Sequence, residues 1–546
     1  MNNHASEDMT VSFRSVFAAL MICAPVCLGD GIDLQAEASA PGRPLVHYWS
    51  ECVGAGRANE GLRATWLESL KTAHDECGFQ YVRFHGLFHD DMFVFHRENG
   101  QDIYNFQYVD DLFDRLLAIG VRPFVELSFN PIDPPGPFRQ FWWRANATPP
   151  SDNATWAELV QRLVRHCIRR YGIDEVRKWY FEVWNEPNLQ AFFHGGNQKI
   201  YFDLYRATAL AIKQIDPQLR VGGPATSNFH PPPGSVARSA APEDIEALNW
   251  QPVWVADFLK FCHDDSVPLD FISTHPYPQD FAFDDGTGHR IRARRGIGAT
   301  HHDLQVLRDM VDHSDFPHAQ IQLTEWSSSP SSRDFSHDCL PAAAFIAKTN
   351  IESAGLIDGL SYWTFTDVFE EKGAGNTIFH GGFGLINYQQ IVKPAFHAYQ
   401  MMNELGDQTL STSPGGIVTR DSRSGRLIAL AYDYPSEVRI SLPTANTLAD
   451  AEKMQHTGSP EPLNVAFTGL PPNAKLLVET LDATHGDAIT AWEAMGRPPE
   501  PTRAQTQVLR AAAMATKKEM LSADSSGRFQ LQREIDPWSL VVISQQ

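Results

Sequence analysis

The sequence is poor in several features that would place a protein in a familiar class. It has only seven cysteines in 546 residues, and no cluster of them has metal-ligand or disulfide-framework spacing beyond one Cys-x3-Cys near the amino terminus. Lysine and arginine (45) are outnumbered by aspartate and glutamate (66), which argues against a nucleic-acid partner. No apolar run is long enough to span a bilayer, and the Gly-x-Ser-x-Gly elbow of many esterases is absent. We therefore expect no metal, no cofactor and no membrane partner.

The amino terminus carries signals for and against export. Residues 16–28 form an apolar run, and residues 38–40 offer a small-residue cleavage pattern. Glu7 and Asp8 stand where an export signal usually carries positive charge, and Pro25 interrupts the run. A cytoplasmic and an exported protein both stay open, and residues 1–40 are treated as a leader that includes a strand at residues 31–37.

The remaining sequence predicts an α/β fold, a (β/α)8 barrel over residues 41–404. The length exceeds what one core usually supports. Strand-like runs occur at residues 47–52, 81–84, 122–127, 178–184, 220–223, 270–274, 320–324 and 359–364. Helical patterns fill several gaps, at residues 62–77, 109–119, 155–171 and 200–215. Eight such units close a barrel.

The sequence changes character near residue 405, and residues 405–546 predict an accessory β-sandwich joined by the strand at residues 31–37. Antiparallel strands are expected at residues 417–420, 426–434, 438–442, 529–534 and 538–544, with a hairpin turn at residues 422–425. Residues 488–520 favour helix except for a proline-rich break at residues 497–501.

Two of the predicted barrel strands end in a glutamate next to aromatic residues. Glu186 follows the fourth strand in the sequence WNEPN, and Glu325 ends the seventh in LTEW. Carboxyl ends of parallel strands meet at one mouth, where such barrels place their chemistry. Glu186 alone would fit a helix cap equally well, but two carboxylates facing each other are the pair that glycoside hydrolysis needs. We expect their carboxyl groups to lie about 5 to 5.5 Å apart, the spacing for retention of configuration.

The chain resembles glycoside hydrolase family 39, the family of β-xylosidases and α-L-iduronidase within the retaining (β/α)8 hydrolases. The resemblance rests on the sequences FEVWNEPNL, VGGPA, LTEW, SYWTFTDVFEE and FHGGFGL, within residues 45–400. It implies that Glu186 is the general acid/base and Glu325 the nucleophile. Residues 275–278 (HPYP) depart from the pattern of the bacterial xylosidases, and the tail after residue 406 shows little resemblance.

The resemblance also suggests residues that line the sugar pocket. Trp363 would be the platform under the sugar ring, with core packing as the rival interpretation. The residues that would hydrogen-bond sugar hydroxyls are His85, Asn185, His275 and Glu370. For His275, a buried core histidine is the alternative.

Two further residues are expected to act on the nucleophile. Tyr277 could hydrogen-bond Glu325. Arg83, at the end of the second strand, could favour the charged form of Glu325 or pair with Glu126 inside the barrel.

The sequence therefore predicts a retaining exo-glycosidase, a β-xylosidase that releases xylose from xylo-oligosaccharides or aryl glycosides. The alternatives are a β-glucosidase, β-galactosidase or α-L-arabinopyranosidase on the same scaffold, or a carbohydrate-binding protein without catalysis.

Overall fold

The chain folds around a closed barrel of parallel strands. This computed structural model describes residues 31–136, 138–230, 250–279, 281–283, 290–292 and 295–546. The eight barrel strands are, in chain order, Cys52–Arg57, Tyr81–His85, Arg122–Leu127, Tyr180–Val183, Arg220–Ser227, Phe271–His275, Gln320–Trp326 and Gly359–Tyr362. Each pairs in parallel with the next, and the eighth closes on the first. The predicted (β/α)8 barrel is confirmed.

The first strand lies five residues later than predicted. Residues 47–52 were expected to form it, but Tyr48–Ser50 is a buried 3-10 helix and the strand is Cys52–Arg57. Its two glycines weaken the strand pattern, yet each permits a close approach. A β-carbon on Gly54 would lie 2.3 Å from the Trp363 ring, and one on Gly56 would lie 3.0 Å from Phe369. Glycine at these two positions therefore leaves room for the aromatic side chains that follow the eighth strand.

Helices alternate with the barrel strands and continue beyond them. The four predicted helices are confirmed to within two residues at each end, and buried leucine, valine and aromatic side chains line one face of each. The described helices are Ala64–Cys77, Gln107–Ile119, Asn153–Tyr171, Ile173–Val176, Gln198–Lys213, Val255–Asp264, Ala299–Asp312, Leu340–Glu352, Pro394–Asn403, Leu448–Gln455, Ala488–Ala494 and Arg503–Met514.

Two further sheets pack face to face as a sandwich. One has the strands Ile32–Glu37, Glu461–Thr468 and Phe529–Ile535, and the other has Arg43–Pro44, Gln408–Ser413, Gly416–Arg420, Leu427–Tyr432, Leu540–Gln545, Lys475–Leu481 and Lys517–Ser522. Apolar side chains of both sheets form one buried cluster, which includes Leu34, Val465 and Val541. The exact limits of the barrel and sandwich units stay a prediction.

Short ribbons and 3-10 turns complete the described structure. Three two-stranded ribbons join Phe95–Glu98 with Gln101–Tyr104, Phe229–His230 with Gln251–Pro252, and Phe281–Phe283 with Arg290–Arg292. The remaining 3-10 helices are Ala58–Leu62, Asp90–Met92 and Phe335–Asp338.

Two carboxy-terminal predictions were wrong. Residues 438–442 are not a sandwich strand, because their backbone pairs with the barrel segment at Arg295 and Gly296. Residues 517–520 are not helical, because they belong to Lys517–Ser522, which pairs with Lys475–Leu481. Lysine, glutamate and methionine favour helix locally, but the sheet edge overrides that weak preference.

The five cysteines of the described ranges are free and buried, namely Cys52, Cys77, Cys167, Cys262 and Cys339. The apolar run at residues 16–28 lies outside the described residues. Among the described helices, none has the length and apolar content needed to cross a bilayer.

Candidate active site

Glu186 and Glu325 meet at the carboxyl end of the barrel. Glu186 lies just beyond the fourth strand, in a bend where Trp184 and Glu186 have φ values of 68° and 45°. Both glutamates are almost buried, at 7% and 5% exposure. One carboxylate oxygen of each, together with a ring nitrogen of His275, lie within 4.8 Å of one another. This short separation suits direct attack, since an intervening water needs carboxyl groups roughly 6.5 to 9.5 Å apart.

Arg83 holds one member of the pair. Its fully buried guanidinium donates to Glu325 at 2.6 Å, to Glu182 at 2.7 Å and to Asn185 at 2.9 Å. It also lies 2.8 Å from Glu126. Arg83 therefore contacts both Glu325 and Glu126, because one planar cation reaches several carboxylates, and its effect on the charge of Glu325 stays a prediction.

Tyr277 and His275 reach the two glutamates from the sixth strand and the loop that follows it. The Tyr277 hydroxyl donates to Glu325 Oε2 at 3.2 Å. His275 Nδ1 lies 2.9 Å from Glu186 Oε1, and its Nε2 lies 3.1 Å from the Thr324 hydroxyl. His275 is therefore a fully buried histidine that contacts Glu186 directly, and its predicted role toward sugar hydroxyls stays a prediction.

The two glutamates have different electrostatic surroundings. Burial raises the pKa of Glu186 to about 7, and the charge of His85 is the strongest opposing influence. Burial also raises the pKa of Glu325, but Arg83 opposes this shift and bonds the carboxylate directly. The two carboxyl groups therefore differ in one respect, since the pKa of Glu186 is raised to about 7 while Glu325 accepts a hydrogen bond from the Arg83 cation.

His85 carries a positive charge at the floor of the mouth. Burial alone would lower its pKa, but Glu126 outweighs this, with smaller contributions from Glu371 and Glu325, and the pKa rises to about 10. Its Nδ1 lies 2.7 Å from Glu126, while Nε2 faces Glu371 at 3.5 Å and Glu325 at 3.6 Å. The imidazolium therefore offers an N–H toward the space beside the nucleophile.

Glu370 does not join these residues, and its neighbour Glu371 does. Both carboxylate oxygens of Glu370 bind arginines, one to Arg57 at 2.8 Å and the other to Arg63 at 2.6 Å. The Glu370 N–H donates to Glu60 at 2.9 Å. These contacts fix the loop so that Glu371, and not Glu370, turns toward His85. The sugar-binding role predicted for Glu370 stays a prediction.

Trp363 lies against the charged floor of the site. It is 2% exposed, its ring centroid is 4.8 Å from that of His85, and the Arg83 guanidinium carbon lies 5.8 Å from it. The Phe369 ring packs against it in a T-shaped arrangement, with the two ring centroids 6.1 Å apart. The two aromatic rings therefore form an apolar corner beside the carboxylates.

Several contributing residues did not emerge from the sequence as site residues. They are Glu182, Thr324, Ser227 and Glu371, and Glu126 was weighed only as a partner of Arg83. An acidic residue inside an apolar strand, as Glu126 and Glu182 are, was a usable signal, because a buried carboxylate requires a partner.

Glu186, His275 and Glu325 are residue types that can also bind a metal ion. Here both nitrogens of His275 already have protein partners, and Glu325 accepts from Arg83 and Tyr277. The arrangement is satisfied as a hydrogen-bonded acid pair, and we assign no metal or cofactor to it.

Comparison with known proteins gives one consistent family. The sequence profile of glycosyl hydrolases family 39 matches residues 32–530. A β-xylosidase of Caldicellulosiruptor saccharolyticus is 37% identical over 87% of this chain and 90% of its own length. A GH39 enzyme of Xanthomonas axonopodis pv. citri superposes with a TM-score of 0.82 at 33% identity, covering 95% of this chain and 97% of that one.

A monomeric β-xylosidase of Caulobacter crescentus CB15 superposes with a TM-score of 0.80 at 32% identity, covering 94% of this chain and 99% of the other. The profile match and these relatives span both the barrel and the sandwich. On this basis the chain belongs to glycoside hydrolase family 39.

Proposed function

We propose that this glycoside hydrolase is a retaining, exo-acting β-xylosidase that releases xylose from short xylo-oligosaccharides. The observation that carries the proposal is the pair of buried carboxylates, Glu186 and Glu325, with oxygens within 4.8 Å of each other and an arginine on only one of them. The 37% identity to a protein named as a β-xylosidase supports the choice of sugar.

The two glutamates divide the reaction between them. Glu325 attacks the anomeric carbon and forms a glycosyl ester, while Glu186 gives its proton to the leaving oxygen as the glycosidic bond breaks. Glu186 then takes a proton from water, whose oxygen displaces Glu325 from the sugar. Arg83 favours the ionised nucleophile, and the buried position of Glu186 favours its protonated form.

The surrounding side chains provide the sugar-binding groups. Trp363 is proposed as the apolar platform under the ring. His85, Asn185 and Tyr277 supply hydrogen-bonding groups around it, and Glu371 takes the place that the sequence assigned to Glu370. Both ring nitrogens of His275 are bonded to Glu186 and Thr324, so this residue acts on the sugar through Glu186.

Xylosides should be preferred over glucosides. Phe369 packs edge to face against Trp363, and we expect this aromatic pair to exclude the hydroxymethyl group that distinguishes glucose from xylose. We expect a kcat/KM for an aryl β-xyloside about 10- to 200-fold above that for the aryl β-glucoside, with weak activity on arabinopyranosides. Hydrolysis of aryl glycosides that differ only in the sugar measures this ratio.

A matched pair of variants tests whether the apolar corner of Phe369 and Trp363 causes the preference for xylosides over glucosides. Phe369→Ala should narrow the ratio, whereas Phe93→Ala, at a phenylalanine that is 54% exposed, should leave it unchanged. Equal or faster cleavage of the glucoside by the native enzyme would replace the xylosidase by a β-glucosidase, with Glu186 and Glu325 keeping their roles.

Activity should fall above neutral pH. A general acid works only while protonated, and the pKa of Glu186 is raised to about 7, so deprotonation above that pH removes the active form. We expect kcat/KM on an unactivated xyloside to fall about tenfold per pH unit on that limb. The measurement is a pH profile of native enzyme and Glu186→Ala, and the same limb in both would exclude Glu186 as its source.

A further inference from the structure

A chain of hydrogen bonds runs behind Glu186 into the barrel. Glu186 Oε1 lies 2.9 Å from His275 Nδ1, and His275 Nε2 lies 3.1 Å from the Thr324 hydroxyl. Thr324 in turn lies 2.8 Å from Glu182 Oε1, whose other oxygen accepts from Arg83 at 2.7 Å. His275, Thr324 and Glu182 have 0% exposure, so no bulk water enters this chain.

The direction of the chain is set at its far end. Glu182 is ion-paired with Arg83 and, as a carboxylate, can only accept hydrogen bonds. Thr324 has one hydroxyl hydrogen, and it is used toward Glu182. Its oxygen must then accept from His275, which places the ring hydrogen on Nε2.

The near end of the chain follows from that hydrogen. Burial lowers the pKa of His275 to about 4, so the ring is neutral near pH 7 and has a single N–H. With that hydrogen on Nε2, Nδ1 presents a lone pair to Glu186 Oε1 at 2.9 Å. The hydrogen between the two atoms must come from Glu186.

We infer that Thr324 and Glu182 are positioning residues that hold the hydrogen of His275 on Nε2 and thereby keep the free enzyme's proton on Glu186. The inference rests on the proposed role of Glu186 as the acid. If Glu186 loses its proton, two acceptors face each other, unless His275 moves its hydrogen and breaks its bond to Thr324. The relay thus makes Glu186 a protonated acid at rest and a stronger base once it has given its proton away.

Charges around Glu186 act in both directions. The positive groups Arg83 and His85 favour its anion, while the carboxylates of Glu126, Glu325 and Glu371 oppose it. Ser227 hydrogen-bonds Glu186, and the un-ionised hydroxyl of Tyr277 lies beside the pair. These charges partly cancel in their effect on the pKa of Glu186. The direction of the hydrogen bonds in the relay therefore influences the protonation of Glu186 in addition to the charges.

Removing the Thr324 hydroxyl tests the relay. In Thr324→Val, His275 is free to place its hydrogen on Nδ1 and donate it to the Glu186 carboxylate. This stabilises the charged form, so the alkaline limb of kcat/KM should move to lower pH by about one unit or more. Thr324→Ser keeps the hydroxyl and should keep the native limb.

The matched control is Thr274→Val, which removes another fully buried hydroxyl. The Thr274 hydroxyl donates to the Thr226 carbonyl and makes no hydrogen bond to a member of the relay, although Thr274 directly precedes His275 in the sixth strand. Thr274→Val should leave the limb in place even if it lowers stability. Thr324→Ala replaces Thr324→Val if the valine variant does not fold.

A measurement without substrate separates this inference from the proposed function. The infrared carbonyl band of the protonated Glu186, identified by its loss in Glu186→Gln, should titrate near pH 7 in native enzyme and at lower pH in Thr324→Val. A native limb and band in a folded Thr324→Val, or a shift to higher pH, would overturn the relay. Failure of the native enzyme to cleave any glycoside would overturn the function and leave the infrared result standing.

Discussion

Glu325→Ala is expected to lose about 10⁴-fold or more of its turnover on an aryl β-xyloside while it remains folded. The nucleophile forms the covalent bond to the sugar. Among the described residues, Glu325 is the carboxylate that both accepts a hydrogen bond from Arg83 and lies beside Glu186. Alanine also removes a partner of Arg83, but the guanidinium keeps Glu182 and Glu126. The fold should therefore survive.

Added azide gives this prediction a product that can be checked. The space vacated beside the anomeric carbon admits the azide anion. Azide should therefore restore the cleavage of an activated aryl xyloside by Glu325→Ala, and the product should be a glycosyl azide of inverted configuration. Nuclear magnetic resonance of the product reads the configuration. Glu98→Ala, at an exposed glutamate of the ribbon Phe95–Glu98, is the control and should behave as native. Glycosyl azide of retained configuration would contradict the nucleophile role.

Glu186→Ala is expected to separate substrates by their leaving groups. Loss of a general acid costs about 10²- to 10⁴-fold where the leaving oxygen needs a proton. The rate on an alkyl xyloside or xylobiose should fall by this full factor. A dinitrophenolate leaving group departs without a proton, so the first step on a dinitrophenyl xyloside should be slowed far less. The measurement is kcat/KM across a series of leaving groups, in native enzyme and variant.

Azide also distinguishes the two variants from each other. In Glu186→Ala the covalent intermediate still forms on Glu325, so azide replaces the water that lacks a base and yields a glycosyl azide of retained configuration. Opposite configurations from the two variants would assign both roles in one experiment. Equal losses on activated and unactivated substrates would exclude Glu186 as the acid.

Glu371 illustrates what local sequence cannot decide. Glu370 and Glu371 are adjacent, and nothing in the motif distinguishes them. Their orientation is set by contacts more than 300 positions away in the chain, with Glu60, Arg57 and Arg63 holding the first and leaving the second to face His85. A one-residue choice in a loop depends on partners that only the closed barrel brings together.

The sequence by itself determined the barrel, the sandwich and the two catalytic candidates. Apolar periodicity is a property of residues that are close in the sequence, so it predicts strands and helices directly. A carboxylate that follows a parallel barrel strand must lie at the carboxyl end of the barrel. The sequence prediction placed the first strand too early because its glycines have no side chain that shows an apolar pattern. The reason for glycine at these positions is visible only in the fold, where Trp363 and Phe369 pack against them.

The hydrogen-bond contacts from which we infer the protonation of Glu186 follow only from the tertiary structure. The chain of contacts joins residues from four barrel strands or their ends, namely Arg83, Glu182 with Glu186, His275 and Thr324. Apart from the pair Glu182 and Glu186, no short spacing in the sequence links them. A hydrogen bond has a direction that is fixed by its neighbours, so the position of one proton depends on the whole chain of contacts. Burial then removes the water that would otherwise satisfy each group independently, so the protonation proposed for Glu186 depends on contacts that only the fold brings together.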